Sequence, residues 1–82
     1  MNKFILYVKT SCPFCLKAEE LLREKDKEFS VVPFDEHPEV LDHMKWAYSH
    51  KTVPMVFHMH GPHIQLVGGY TDLVKYLNEQ EE

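Results

Sequence analysis

The sequence predicts one small α/β domain, a four-stranded mixed sheet flanked by helices, with its elements in the order βαβαββα. Three observations lead there. The chain has 82 residues, which leaves room for a single core. Short apolar runs rich in β-formers alternate with segments whose apolar residues recur at helical spacing. The last two β runs adjoin across a Gly-Pro turn with no helix between them, so they form a hairpin.

Each element has its own signal. Phe4 to Val8 is the first strand. Thr10-Ser11 is expected to cap the following helix, and Pro13 suits its first turn, where a missing N–H is no loss. Phe14, Ala18, Leu21 and Leu22 repeat at helical spacing against Lys17, Glu19, Glu20, Arg23 and Glu24, so this helix runs to about Lys25. Phe29 to Phe34 is the second strand, and Asp35, Glu36 and Pro38 mark a turn into a new helix. The apolar stripe of that helix is Val40, Leu41, Met44, Ala47 and Tyr48. Trp46 falls off the stripe and is expected to be partly buried. Met55 to Met59 and His63 to Val67 are the third and fourth strands, joined by His60-Gly61-Pro62. Gly68-Gly69 breaks the pattern, and Thr71 and Asp72 open a last helix whose Leu73, Val74 and Leu77 face inward. The acidic end, Glu79-Gln80-Glu81-Glu82, opposes the helix dipole and is expected to fray.

Composition excludes several classes. Thirteen acidic and nine basic residues give a net charge of -4, which argues against a nucleic-acid surface built on clustered Lys and Arg. No segment approaches the roughly 18–20 apolar residues needed to span a bilayer. The apolar start is too short for a secretory leader, so the chain reads as cytoplasmic. Six histidines are many for this length. His58, His60 and His63 gather around the hairpin and are expected to be exposed turn residues, on the far side of the sheet from the cysteines.

The chain has two cysteines, Cys12 and Cys15, separated by Pro13 and Phe14. In a reducing compartment such a pair points to redox chemistry or to metal binding. A structural zinc site usually takes four ligands, and this pair supplies two, so the balance favours redox. The competing readings are half of a metal site shared by two chains and an inert structural pair. Cys12 falls at the junction of the first strand and helix, where unpaired backbone N–H groups and the positive end of the helix dipole favour a thiolate. Lys9 adds a cation nearby. Cys12 is therefore the expected nucleophile, and Cys15, one turn further in, the resolving thiol.

Three motifs then carry a resemblance that covers essentially the whole chain. Tyr7-Val8-Lys9-Thr10-Ser11-Cys12-Pro13-Phe14-Cys15, Thr52-Val53-Pro54 before a strand, and Gly68-Gly69-Tyr70-Thr71-Asp72 at the last helix occur in the order found in dithiol glutaredoxins. Phe14 stands where that family commonly has Tyr. The resemblance implies a thioredoxin fold and a glutathione-dependent thiol–disulfide oxidoreductase that takes disulfide-containing or glutathionylated proteins, with ribonucleotide reductase among the candidate clients. It implies a monomer, glutathione as reductant and no resident metal. Glutathione would lie along Lys9, Phe14, Thr52, Val53, Pro54, Gly69, Tyr70, Thr71 and Asp72. Pro54 resembles the family's cis-proline, and Val53 would pair with the cysteinyl unit of glutathione as an added strand. Thr71 and Asp72 would hold the γ-glutamyl end, and Lys9, with Lys51 as a helper, the glycine carboxylate. Many family members place a Gln or Arg from the second helix at that end. Here the candidates are His43, Lys45 and His50. Two rivals remain at this point, a redoxin reduced by a flavoprotein reductase and a carrier of a [2Fe–2S] cluster bridged between two chains.

Overall fold

The computed structural model describes residues 2–9, 11–50 and 52–80. Its elements are β1 (Asn2–Val8), α1 (Pro13–Glu24), β2 (Phe29–Pro33), α2 (Pro38–Ala47), β3 (Met55–His60), β4 (His63–Gly68) and α3 (Tyr70–Gln80), the expected βαβαββα order. The sheet has strand order β2-β1-β3-β4. β1 runs parallel to β2 and antiparallel to β3, and β3 and β4 form the antiparallel hairpin. Boundaries differ from the sequence reading by one or two residues. The largest consequence is that His60 belongs to β3 and leaves Gly61-Pro62 as the turn.

β1 is central, and its alternating side chains build two cores. Phe4, Leu6 and Val8 point to the face covered by α1 and α3, where they meet Cys15, Ala18, Leu22, Val56, Leu73 and Leu77. Ile5 and Tyr7 point to the other face, against Met55, Phe57 and Leu41 of α2. A period-two strand buried on both sides is the expected behaviour of an interior strand with helices above and below. α2 is the lightly held layer. Leu41 is its one fully buried side chain, Met44 is half-buried, and Val40, Ala47 and Tyr48 of the expected stripe are exposed. The stripe is narrower than its spacing implies because this helix lies on the sheet alone, without a neighbouring helix to fill its flanks.

The helix ends follow local chemistry. α1 and α2 both close with paired backbone bonds of the Schellman type. Lys27 N–H donates to Leu22 O at 2.9 Å and Asp26 N–H to Arg23 O at 3.1 Å. His50 N–H donates to Lys45 O at 2.8 Å and Ser49 N–H to Trp46 O at 3.2 Å. Asp26 (φ 58°) and Ser49 (φ 53°) occupy the left-handed position where glycine is usual. Glu79 and Gln80 continue α3, while Glu81 and Glu82 lie outside the described residues.

Two expectations are corrected here. Trp46 is not partly buried but 79% exposed. The hairpin histidines are not uniformly exposed. Residue His58 sits opposite Phe4 in the β1–β3 register, on the α1/α3 face, and is only 5% exposed. Its ring stacks on Phe4 at 4.4 Å and 7°, and Nδ1 bonds the Tyr76 hydroxyl of α3 at 2.5 Å. The His60 ring lies next to it at 4.7 Å, tilted by 31°, with its Nε2 buried and unpartnered, and of the three only His63 is exposed. No group of three or more His, Cys, Asp or Glu among the described residues is arranged to hold a metal ion.

Candidate active site

Strand directions bring three chain segments to one end of the sheet. β1 ends at Val8 and leads to the cysteines. β3 starts there, because Tyr7 faces Met55 in the antiparallel register. β4 finishes there, with Gly68 opposite Val56, and α3 begins immediately afterwards. A register shift between Val56 and Phe57 inserts an extra β4 residue beside this end, as bulges often do near functional sites.

The sulfur of Cys12 sits where these segments meet. The cap of α1 is Cys12 itself, not Thr10-Ser11. Thr10 lies outside the described residues, and Ser11 is an exposed turn residue. Cys12 has extended backbone angles (φ -96°, ψ 113°), and its Sγ accepts the N–H of Cys15 at 3.3 Å. The sulfur thus takes the part that a Ser or Asp oxygen plays at most helix starts. A backbone donor aimed at sulfur stabilises negative charge there. The thiol also reaches the carbonyl of Val53 at 3.7 Å, a link between residues 41 positions apart. Backbone bonds fix the turn, with Cys12 N–H donating to Lys9 O at 3.2 Å and Leu16 N–H to Cys12 O at 3.3 Å.

Cys12 is half-buried and Cys15 is fully buried, both as free thiols. Burial, then the hydrogen bond from the neighbouring cysteine, pushes the Cys15 thiol up to about 12. At neutral pH Cys15 holds its proton and Cys12 is the one that solvent can reach. The pair is therefore unequal in access.

Beside the sulfur runs a groove of about 320 Å³ lined by Phe14, His50, Thr52, Val53, Pro54, Gly69, Tyr70, Thr71 and Asp72. It is within the size range of small-ligand sites. Eight of the nine residues expected to line a ligand are brought together here. The ninth, Lys9, is not among the lining residues, and its backbone carbonyl accepts the Cys12 N–H at the turn before α1. Lys51 lies outside the described residues. The Val53-Pro54 peptide is cis, as the resemblance implied, and Pro54 is buried. Phe14 is 53% exposed beside Cys12, with its ring 6.0 Å from that of Tyr70. The Asp72 carboxylate reaches back to accept the N–H of Gly69 at 3.0 Å, so it stabilises the start of α3 and borders the groove at once.

Of the three candidates on and after the second helix, His50 enters the groove. Its Nε2 is 3.4 Å from Thr52 Oγ1, and the ring lies about 4 Å from where a methyl on Gly69 would sit. The usable signal was its place, just past the helix end and two residues before Thr52, rather than on a helical face. His43 instead packs near Trp46 at 6.1 Å, and Lys45 lines a separate cleft with Asp42, Trp46, Ser49 and His50.

Comparison with known proteins gives a consistent picture. The glutaredoxin family model matches residues 4–64. Glutaredoxin-1 of Rhizophagus irregularis is 36% identical over 76 residues, spanning 89% of this chain and 71% of that protein. The solution structure of glutaredoxin from Brucella melitensis superposes with a TM-score of 0.71 at 28% identity, over 96% of this chain and 82% of its own. The crystal structure of a buckwheat glutaredoxin–glutathione complex gives a TM-score of 0.80 at 17% identity, over 98% and 72%. The last likeness speaks to the fold alone.

Proposed function

This chain belongs to the glutaredoxin family of thiol–disulfide oxidoreductases, and from that premise we propose that it is a glutathione-dependent enzyme reducing protein disulfides and glutathione mixed disulfides. The observation that carries this reading is the groove beside Cys12. Its Val53 carbonyl faces the sulfur, and its far end is the N-terminus of α3.

A tripeptide thiol fits the groove from end to end. The backbone of Val53 offers strand-like pairing to the cysteinyl unit, which brings that unit's sulfur to Cys12. At the α3 end, the N–H groups of Thr71 and Asp72 suit the γ-glutamyl carboxylate, and the Asp72 carboxylate suits the adjacent ammonium. Gly69 keeps the floor low, and Phe14 and Tyr70 form an apolar wall. Lys9 supplies a cation for the glycine carboxylate, and Thr52 and His50 border that side.

In the monothiol route the Cys12 thiolate attacks the glutathionyl sulfur of a mixed disulfide. A Cys12–glutathione disulfide forms, and the protein sulfur leaves as a thiolate. A second glutathione thiolate attacks the glutathionyl sulfur, releasing oxidised glutathione and restoring Cys12. In the dithiol route Cys12 attacks a protein disulfide, and Cys15 displaces the second protein thiolate by bonding to Cys12. Two glutathione molecules then reduce the Cys12–Cys15 disulfide, giving one oxidised glutathione. A buried, protonated Cys15 suits the second role, since it stays out of the first attack until an adduct on Cys12 brings the pair into exchange. The reading is of a monomer without a resident metal, working in a reducing, glutathione-containing compartment such as the cytoplasm.

The test is NADPH consumption in the presence of glutathione, glutathione reductase and a glutathionylated peptide. Wild type and Cys15→Ser are expected to turn over, and Cys12→Ser to be inactive. A silent wild type that is nevertheless reduced by a flavoprotein thioredoxin reductase would replace the reading with that of a redoxin.

A further inference from the structure

Glutathione carries two carboxylates and one ammonium, and the α3 end of the groove answers one carboxylate and the ammonium. The glycyl carboxylate is left, and it needs a cation. Among the described residues that line the groove, His50 is the one basic side chain. Lys9 is not in the wall, and Lys51 lies outside the described residues.

The direction of the ligand brings that carboxylate to His50. Pro54 O lies 3.8 Å from where a methyl on Gly69 would sit, so Pro54 is the end of the Thr52-Val53-Pro54 segment nearest the α3 turn. With the γ-glutamyl unit at α3 and the cysteinyl unit paired to Val53, the glycyl unit falls beside Thr52. There the His50 Nε2 stands 3.4 Å from Thr52 Oγ1. Nε2 and Cε1 are also the ring atoms that approach the Gly69 position, at 4.0 and 3.9 Å, so the ring turns a polar edge to the groove.

The residue is held in place by its backbone. Its N–H donates to Lys45 O at 2.8 Å, just after Ser49 takes the left-handed turn at the end of α2. Among the described residues the His50 side chain has Thr52 as its polar partner and no carboxylate. The charged and titratable groups around it are Asp42 and Lys45 on the α2 side, and Tyr70 and Asp72 across the groove. Asp72 is already engaged with Gly69 N–H at 3.0 Å. A neutral imidazole has one donor and one acceptor nitrogen, whereas an imidazolium donates from both. Protonation therefore gives this wall a charge and a second donor together, and histidine is the side chain whose ordinary charge change falls between about pH 5 and 8.

Resting on the glutathione reading above, we propose that His50 is a specificity residue whose protonated ring binds the glycyl carboxylate of glutathione, so that the tripeptide is held more tightly as pH falls. The groove then distinguishes a free glycyl carboxylate from an esterified one. By linkage, the factor by which protonation tightens binding is the factor by which the ligand favours protonation.

The test reads His50 itself. Cys15→Ser protein is converted through Cys12 to its mixed disulfide with glutathione, and separately to that with the glycyl ethyl ester of glutathione, using the corresponding oxidised disulfides. Proton NMR of the imidazole Cε1–H, assigned by its loss in His50→Gln, follows the charge of His50 between about pH 8.5 and 5. Cys12 is a disulfide in both adducts, so its own proton does not enter. The midpoint in the glutathione adduct is expected about half to one pH unit above that in the ester adduct, the range of one partly exposed charge pair. Equal midpoints overturn the proposal.

A second measurement reads affinity in the Cys12→Ser background. S-methylglutathione, which cannot exchange, is expected to bind roughly three- to tenfold more tightly at about pH 6 than at about pH 8. The difference disappears when His50→Gln is added, and it is absent with the glycyl ester. A difference that survives either change overturns the proposal. Wild type inactive on the glutathione–2-mercaptoethanol disulfide sinks the glutathione reading instead, and the adduct midpoints, formed without turnover, still decide the role of His50.

Discussion

Replacing Gly68 with alanine is expected to damage fold and site together, through a contact with a single side chain. Gly68 has φ 125°, a region that is nearly closed to residues with a Cβ and costs them about 1–3 kcal/mol. An added methyl would fall 2.4 Å from Asp72 Oδ2 and 2.8 Å from Asp72 Cβ, so the carboxylate must leave its place. That movement breaks its 3.0 Å bond to Gly69 N–H, worth about 1 kcal/mol at an exposed helix start. The sum is about 2–4 kcal/mol, which for a domain of this size lowers Tm by roughly 10–25 °C. Urea denaturation of reduced protein reads the change, with Asp72→Ala and the double variant completing a cycle. Asp72→Ala costs about 1 kcal/mol alone and nothing further in the Gly68→Ala background, since the bond is already lost there. A Gly68→Ala protein within about 0.5 kcal/mol of wild type, or strictly additive singles, would refute the reasoning.

Gly69 is expected to behave in the opposite way. A methyl there meets Pro54 O at 3.8 Å and His50 Cε1 at 3.9 Å, ordinary contacts, so Gly69→Ala keeps its stability while KM for glutathione rises about tenfold. A variant that unfolds early instead would place the glycine's role in the backbone. His58 sets an acid limit. Its pKa is lowered first by burial, then by His60 and Lys27, so below the ordinary value of 6.5 the unfolded chain takes up a proton that the folded chain resists. Stability is complete above that pH and falls on acidification, and His58→Phe flattens this dependence in denaturation curves between pH 8 and 5. An unchanged slope would contradict it. Cys15, buried and pushed up to about 12, escapes iodoacetamide at pH 7.5 in the folded reduced protein, and mass spectrometry should find a single label on Cys12. Two labels on folded protein would show Cys15 to be accessible. Ser49→Gly, at φ 53°, is expected to stabilise by about 0.5–1 kcal/mol in urea, and a loss would mean that the Ser49 side chain holds the turn.

The fold was legible because its cues are local. Phe4, Leu6 and Val8 alternate, Ala18 and Leu22 repeat at helical spacing, and Gly61-Pro62 punctuates the hairpin, so pattern alone orders the elements. The groove was legible through three short motifs that the strand directions gather at one sheet end. What escaped depends on distant partners. His58 looks like a surface residue beside a turn until Phe4 from β1 and Tyr76 from α3 close over it. Trp46 and the exposed part of the α2 stripe depend on how few neighbours that helix has, which spacing does not encode. The helix cap was misplaced because hydroxyl residues at Thr10-Ser11 are the usual signal, and here the cap is a sulfur.

That sulfur cap ties folding to chemistry in a single thermodynamic cycle. The first turn of α1 is closed by the sulfur we propose as the nucleophile, so each change in bonding at Cys12 changes the strength of the acceptor that Cys15 N–H finds. A thiolate is a strong acceptor and a disulfide sulfur a weak one. Whatever stability α1 gains from the reduced form must reappear, with the same magnitude, as a bias of the exchange equilibrium toward reduction of Cys12. The start of this helix is thus a spring set by the electron count of one side chain, and mutations that loosen it far from the groove will retune the enzyme's readiness to give up its electrons.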